Sequence, residues 1–163
     1  MAMRIFVTGG TIDGLDYSSG QHAPKRRASR VPEILRNARV IRDYRVSVLM
    51  LKDSKFITEK DRGLIAESCR SCEEKRILIT HGSMTMAATA KFLAKKRLGK
   101  TIVLFGSITP MTKRRSDSHF NTGFAFAAVQ FLPPGVYIAM NGRVFPANNV
   151  RKNLGTQYFE EEK

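Results

Sequence analysis

The sequence predicts an α/β fold, a three-layer, doubly wound, mostly parallel sheet of Rossmann-like type with a C-terminal β-hairpin. Three observations carry that expectation. Short apolar, β-rich runs alternate with helical segments along the whole chain, as parallel sheets with crossover helices require. Several of those runs end in glycine followed by a hydroxyl, as in Thr8-Gly9-Gly10-Thr11, Thr80-His81-Gly82-Ser83 and Phe105-Gly106-Ser107. The length, 163 residues, suits one domain with a sizeable core.

The first strand is expected over 3–8 and stops at Gly9-Gly10. Glycine lets the backbone turn sharply and lets a ligand come close. In an open α/β sheet the ligand crevice lies outside the carboxyl ends of the strands, which puts Thr11 on a loop at that crevice. The polar stretch 13–30 reads as a long loop leaving this strand, the kind of segment that forms a lid. A helix near 31–39 and a strand over 45–51 follow. Thr58 with Glu59 and Asp61 marks a helix start, where a hydroxyl caps and acids favour the dipole, and the helix runs over 59–71.

Cys69 and Cys72 lie at the end of that helix and before a strand, where packing suits them better than redox work. No second pair exists to complete a zinc site. The strand over 76–80 leads into His81-Gly82-Ser83-Met84-Thr85-Met86 and a helix over 87–96. The strand over 101–105 has Lys100 at its start. A basic loop over 111–118, a helix over 121–131 and a hairpin complete the pattern. The hairpin pairs 136–140 with 143–146 around Asn141-Gly142, the favoured type I′ turn pair. The packed domain is expected over 1–155, with 156–163 a charged, frayed tail.

Lys and Arg number 28 against 14 Asp and Glu, a formal charge of +14. That excess favours anionic partners. Basic clusters stand at Lys25-Arg26-Arg27, Lys95-Lys96-Arg97 and Lys113-Arg114-Arg115, but no helix-turn-helix, zinc-finger or RNP-type motif accompanies them. Nucleic acid is therefore not the expected partner. No apolar run approaches the ~20 residues of a membrane span. The chain enters a strand at once, without a signal-peptide pattern, and a cytoplasmic protein is expected.

Thr-Gly-Gly-Thr-Ile at 8–12, together with the motif at 81–86, resembles the bacterial-type L-asparaginase/glutaminase family. The likeness is to that family's N-terminal domain, as in its short single-domain relatives. Asp53-Ser54 followed by Ile57-Thr58-Glu59-Lys60-Asp61 resembles the family's substrate-binding segment and the helix after it. Gly99-Lys100-Thr101-Ile102-Val103 resembles the strand that brings in its catalytic lysine, and the run from Gly135 to Gly142 resembles the hairpin that ends its first domain.

The resemblance implies a reaction in which a threonine attacks a side-chain amide and water then releases acid and ammonia. It implies Thr11 as nucleophile, Tyr17 as the partner of that hydroxyl with His22 as alternative, Ser83 as a second hydroxyl and Lys100 as its lysine. Gly10 and Gly82 would border the oxyanion, and Asp53 and Ser54 the substrate, Ser54 at its α-carboxylate. The family motif reads His-Gly-Thr-Asp-Thr-Met. Here Ser83 keeps a hydroxyl, and Met84 stands where an aspartate would pair with the substrate's α-ammonium. Methionine offers only a weak acceptor, so an amino-acid substrate should be held poorly. The resemblance further implies a homo-oligomer, as a dimer, with no cofactor and no metal. Two other readings stand beside an amidohydrolase: a non-catalytic module binding a small anion in the same crevice, and a basic nucleic-acid-associated protein.

Overall fold

The computed structural model describes residues 2–14 and 28–163. Six strands form one sheet: β1 (Met3–Gly9), β2 (Tyr44–Lys52), β3 (Arg76–Thr80), β4 (Thr101–Phe105), β5 (Gly135–Met140) and β6 (Arg143–Pro146). Their order is β2-β1-β3-β4-β5-β6. All neighbours are parallel except β5 and β6. Four helices cross between strands: α1 (Val31–Asn37), α2 (Glu59–Ser71), α3 (Met86–Lys95) and α4 (Ser118–Phe131). A separate two-stranded ribbon, β7 (Arg151–Lys152) with β8 (Phe159–Glu160), follows the sheet.

Both faces of the sheet are buried, as a parallel sheet requires. Strand alternation sends Ile5, Val7, Leu78, Val103 and Phe105 to the core shared with α1 and α4. Phe6, Ile77, Ile79, Ile102 and Leu104 enter the core shared with α2 and α3. The expected three-layer architecture is therefore present. The strand boundaries agree with the expectation to within one residue, and α4 begins three residues earlier, at Ser118. Thr58 caps α2 in a full capping box: its hydroxyl accepts from the Asp61 N–H at 3.2 Å, and the Asp61 carboxylate accepts from the Thr58 N–H at 2.8 Å. The β5–β6 turn places Asn141 and Gly142 at φ 52° and 79°, the left-handed pair that type I′ demands.

The tail departs from expectation. Beyond residue 155 the chain does not fray but returns as β8, with Phe159 buried against Phe145. Glu162 and Lys163 then donate their N–H groups to the Asn149 side chain. One apolar residue among acids was enough to anchor the end, a signal the charge run obscured. No helix among the described residues is long and apolar enough to cross a membrane.

Candidate active site

In this strand order the chain leaves β1 for one side of the sheet and returns with β3 on the other. A crevice opens at such a reversal, outside the carboxyl ends of the two strands. Thr11 follows β1 and Ser83 follows β3, so topology alone brings the two motifs together. The glycines make the approach close enough. A Cβ on Gly10 would lie 2.6 Å from the Gly82 nitrogen, and one on Gly82 would lie 2.6 Å from Ser54 Oγ. The turns after β1 and β3 therefore touch backbone to backbone, and the Ser54 side chain from the turn after β2 fills the space against Gly82.

Gly10 has φ 92° and ψ −176°, a region open essentially to glycine alone. Its N–H donates to the Lys52 carbonyl at 3.0 Å, so it shapes the site and its own N–H is not a donor to an oxyanion. Gly10→Ala is expected to cost more than about 2 kcal/mol of folding stability, from backbone strain with the clash added. Urea denaturation of both forms measures it.

A cavity of about 180 Å³ lies at this edge, lined by Thr11, Lys55, Ser83, Met84, Ile108, Lys152 and Gln157. The decisive contact in it was invisible in the sequence. Lys152 Nζ donates to Ser83 Oγ at 2.6 Å and lies 3.7 Å from Met84 Sδ. Lys152 sits on β7, held between buried Val150 and the β8 strand carrying buried Phe159. Asn153 Oδ1 tightens the turn after it by accepting from the Gly155 and Thr156 N–H groups. Partial burial lowers the Lys152 pKa from the usual lysine value. Nothing in its local sequence distinguishes it from the other 27 of the 28 Lys and Arg residues.

Lys100 is corrected. It precedes β4, at the amino end of the parallel strands, roughly 16 Å along the strand from the edge that carries Thr11 and Ser83. There Nζ donates to the Cys72 and Arg70 carbonyls and stands 3.4 Å from Cys72 Sγ. It satisfies the C-terminal end of α2, where a cation is favoured by the helix dipole. Cys69 is buried beside it, its thiol pushed up to about 12, first by burial and then by Cys72. That is a packing cysteine, as expected from the sequence.

The other assigned residues divide. Ser54 is fully buried against Gly82, and its Oγ has no hydrogen-bond partner among the described residues. Asp53 is turned to its own backbone, accepting from the Lys55 N–H at 3.0 Å. Met84 is at the cavity wall and 37% exposed. Tyr17 and His22 lie outside the described residues, as does the cluster at Lys25-Arg26-Arg27. Lys113, Arg114 and Arg115 are exposed on the loop after β4.

His81 holds the turn from below. It is fully buried, its Nδ1–H donating to the Gly82 carbonyl and its Nε2 accepting from the Thr89 hydroxyl, both at 2.8 Å. Arg62 Nε donates to the same Thr89 oxygen at 3.1 Å. A carbonyl can only accept, so these partners fix the neutral tautomer. Burial chiefly, with the Arg62 charge adding, lowers the His81 pKa from 6.5 to about 4, against the opposing pull of the Gly82 carbonyl. Between pH 6.5 and 4 the unfolded chain takes up a proton that the folded chain refuses. Stability should therefore fall as pH drops through that window, with a slope approaching about 1.4 kcal/mol per pH unit. Denaturant titrations from pH 7 to 4 check this, and His81→Gln should remove that component of the slope.

The family model described as "Asparaginase, N-terminal" matches residues 2–159. The chain belongs to the asparaginase family. It is 32% identical over 168 residues to the glutaminase-asparaginase of Acinetobacter glutaminasificans, covering 92% of this chain and 49% of that protein. It is 29% identical over 165 residues to a probable periplasmic L-asparaginase of Haemophilus influenzae, covering 94% and 47%. Among solved structures, L-asparaginase I from Vibrio cholerae superposes with a TM-score of 0.83 at 26% identity, over 98% of this chain and 51% of that one. The chain thus spans about half the length of the asparaginases it matches. The family assignment fits the crevice between β1 and β3, and the departures within it belong to this chain.

Proposed function

We propose that the chain is an asparaginase-like amidohydrolase, cleaving the primary amide of a small molecule through a hydroxyl nucleophile, Thr11. The observation that carries this is the 2.6 Å hydrogen bond of Lys152 to Ser83 in a cavity that Thr11 also lines. Thr11 Oγ1 attacks the amide carbon, the C–N bond breaks, and ammonia leaves with a proton. Water then cleaves the resulting ester, giving a carboxylate and restoring the hydroxyl. A threonine hydroxyl is a poor nucleophile until a neighbour accepts its proton. Lys152 suits that task, because burial raises the fraction of its neutral form at a given pH. Ser83, bonded to Lys152, can relay the proton. N–H groups of the turn after β3 would stabilise the developing oxyanion.

The test is ammonia release from a panel of small primary amides. No release above the uncatalysed rate from any of them rejects the reading. It would then favour the second one, a small-anion-binding module, which the two lysines of the cavity support. The reading includes a cytoplasmic location and assembly as a homodimer. Exposed Leu154 and Tyr158, on the turn that borders the cavity, offer apolar surface to a second copy. Light scattering should return about twice the chain mass, and a species of 18.3 kDa at high concentration rejects the dimer.

A further inference from the structure

We propose that the site takes a small amide carrying a carboxylate and no ammonium group, the monoamide of a short dicarboxylic acid. This rests on the amidohydrolase reading and names its substrate class. Four observations support it. The described residues that line the cavity include Lys55 and Lys152, and none of them is Asp or Glu.

Second, the described partners of Lys152 are neutral, a hydroxyl and a thioether. In its protonated form, a half-buried lysine with only neutral partners is a ready partner for an anion, and its neutral fraction is the one that serves as base.

Third, among the described residues the carboxylates of Asp13, Asp53, Asp61 and Asp117 already have partners. Asp13 Oδ1 accepts from Ser29 Oγ and the Arg30 N–H. Asp53 accepts from the Lys55 N–H. Asp61 takes Lys52 and the Thr58 cap. Asp117 accepts from the Ile108 and Thr109 N–H groups and from Asn121. Each serves a turn or a cap. A substrate ammonium would therefore meet Met84, a weak acceptor, and the positive Lys55 side chain, whether or not Lys152 has given up its proton.

Fourth, the cavity of about 180 Å³ is small beside the roughly 300–1,000 Å³ of sites for drug-sized ligands. A four- or five-carbon monoamide is the fitting scale. Such a compound balances simply: with one water, succinamate gives succinate and ammonium.

The experiment compares ligands that differ only in the ammonium. Calorimetry of the 163-residue chain with succinate and with aspartate should show succinate bound about 30-fold or more tighter, the low end for an unpaired buried charge. Met84→Asp should narrow or reverse that order, with circular dichroism confirming the fold. Ammonia release should favour succinamate over asparagine by a comparable factor. Aspartate bound as tightly as succinate by the wild type overturns the proposal, because an acidic partner then reaches the pocket. So does undetectable succinate binding at millimolar concentration, and so does asparagine turnover equal to that of succinamate. Preferential succinate binding with no hydrolysis of either amide sustains the ligand class and rejects the amidohydrolase reading instead.

Discussion

Thr11→Ala is expected to lower amide turnover by about 10⁴-fold or more, the scale at which removal of a covalent nucleophile acts. The expectation follows from position and from what the hydroxyl does not do. Thr11 begins a short 3₁₀ turn directly after Gly10, and its side chain borders the cavity that holds Ser83 and Lys152. No described hydrogen bond engages its hydroxyl, although the residue itself is 3% exposed. Alanine should lower folding stability by no more than about 1–2 kcal/mol, the cost of removing a small buried group, and leave the chain folded. Thr11→Ser keeps the oxygen and should retain measurable turnover. Steady-state ammonia release from all three forms decides it. Near-native activity in Thr11→Ala would transfer the nucleophile to another group, with Ser83, already bonded to Lys152, the first to examine.

The second large effect separates two lysines. Lys152→Met should lower kcat by about 10²–10⁴-fold, the contribution of a positioned general base, and leave the β7–β8 backbone pairing in place. Lys100→Met should leave kcat within a few-fold and lower stability instead, by about 1–2 kcal/mol. Its Nζ serves the Cys72 and Arg70 carbonyls at the end of α2, far along β4 from the reacting groups. Each variant is thus measured twice, by ammonia release and by thermal unfolding. If Lys100→Met removes turnover without destabilising the chain, the assignment of the base to Lys152 fails. The pH profiles add a check. Rates that require neutral Lys152 should rise with pH toward a midpoint below the ordinary 10.5, because burial disfavours its charged form.

Most of the fold was legible locally. Apolar runs of strand length, the Thr58 capping signal and the Asn141-Gly142 turn pair each state a preference that the neighbouring residues alone enforce. Parallel pairing then followed from the alternation of strands and helices. Thr11 and Ser83 were also readable, because a strand that stops at glycine and hydroxyl residues has one natural place in such a sheet, its carboxyl edge. Even the chemistry at Met84 was written in the motif, since a thioether has no charge wherever it lands.

What the local sequence could not state is which distant lysine reaches the Ser83 hydroxyl. Lys100 stands beside a strand, and its neighbours look like a catalytic segment, yet strand direction carries it to the opposite edge, where helix α2 ends. Lys152 stands 69 positions from Ser83 in a short ribbon that the acidic tail seemed to leave loose. It reaches the hydroxyl because Phe159 buries itself against Phe145 and folds β8 back onto β7. That contact is a property of packing between remote segments, not of any local pattern. The same holds for the empty charge balance of the cavity: each aspartate nearby is present in the sequence, but only the folded chain shows that turns and caps have claimed them.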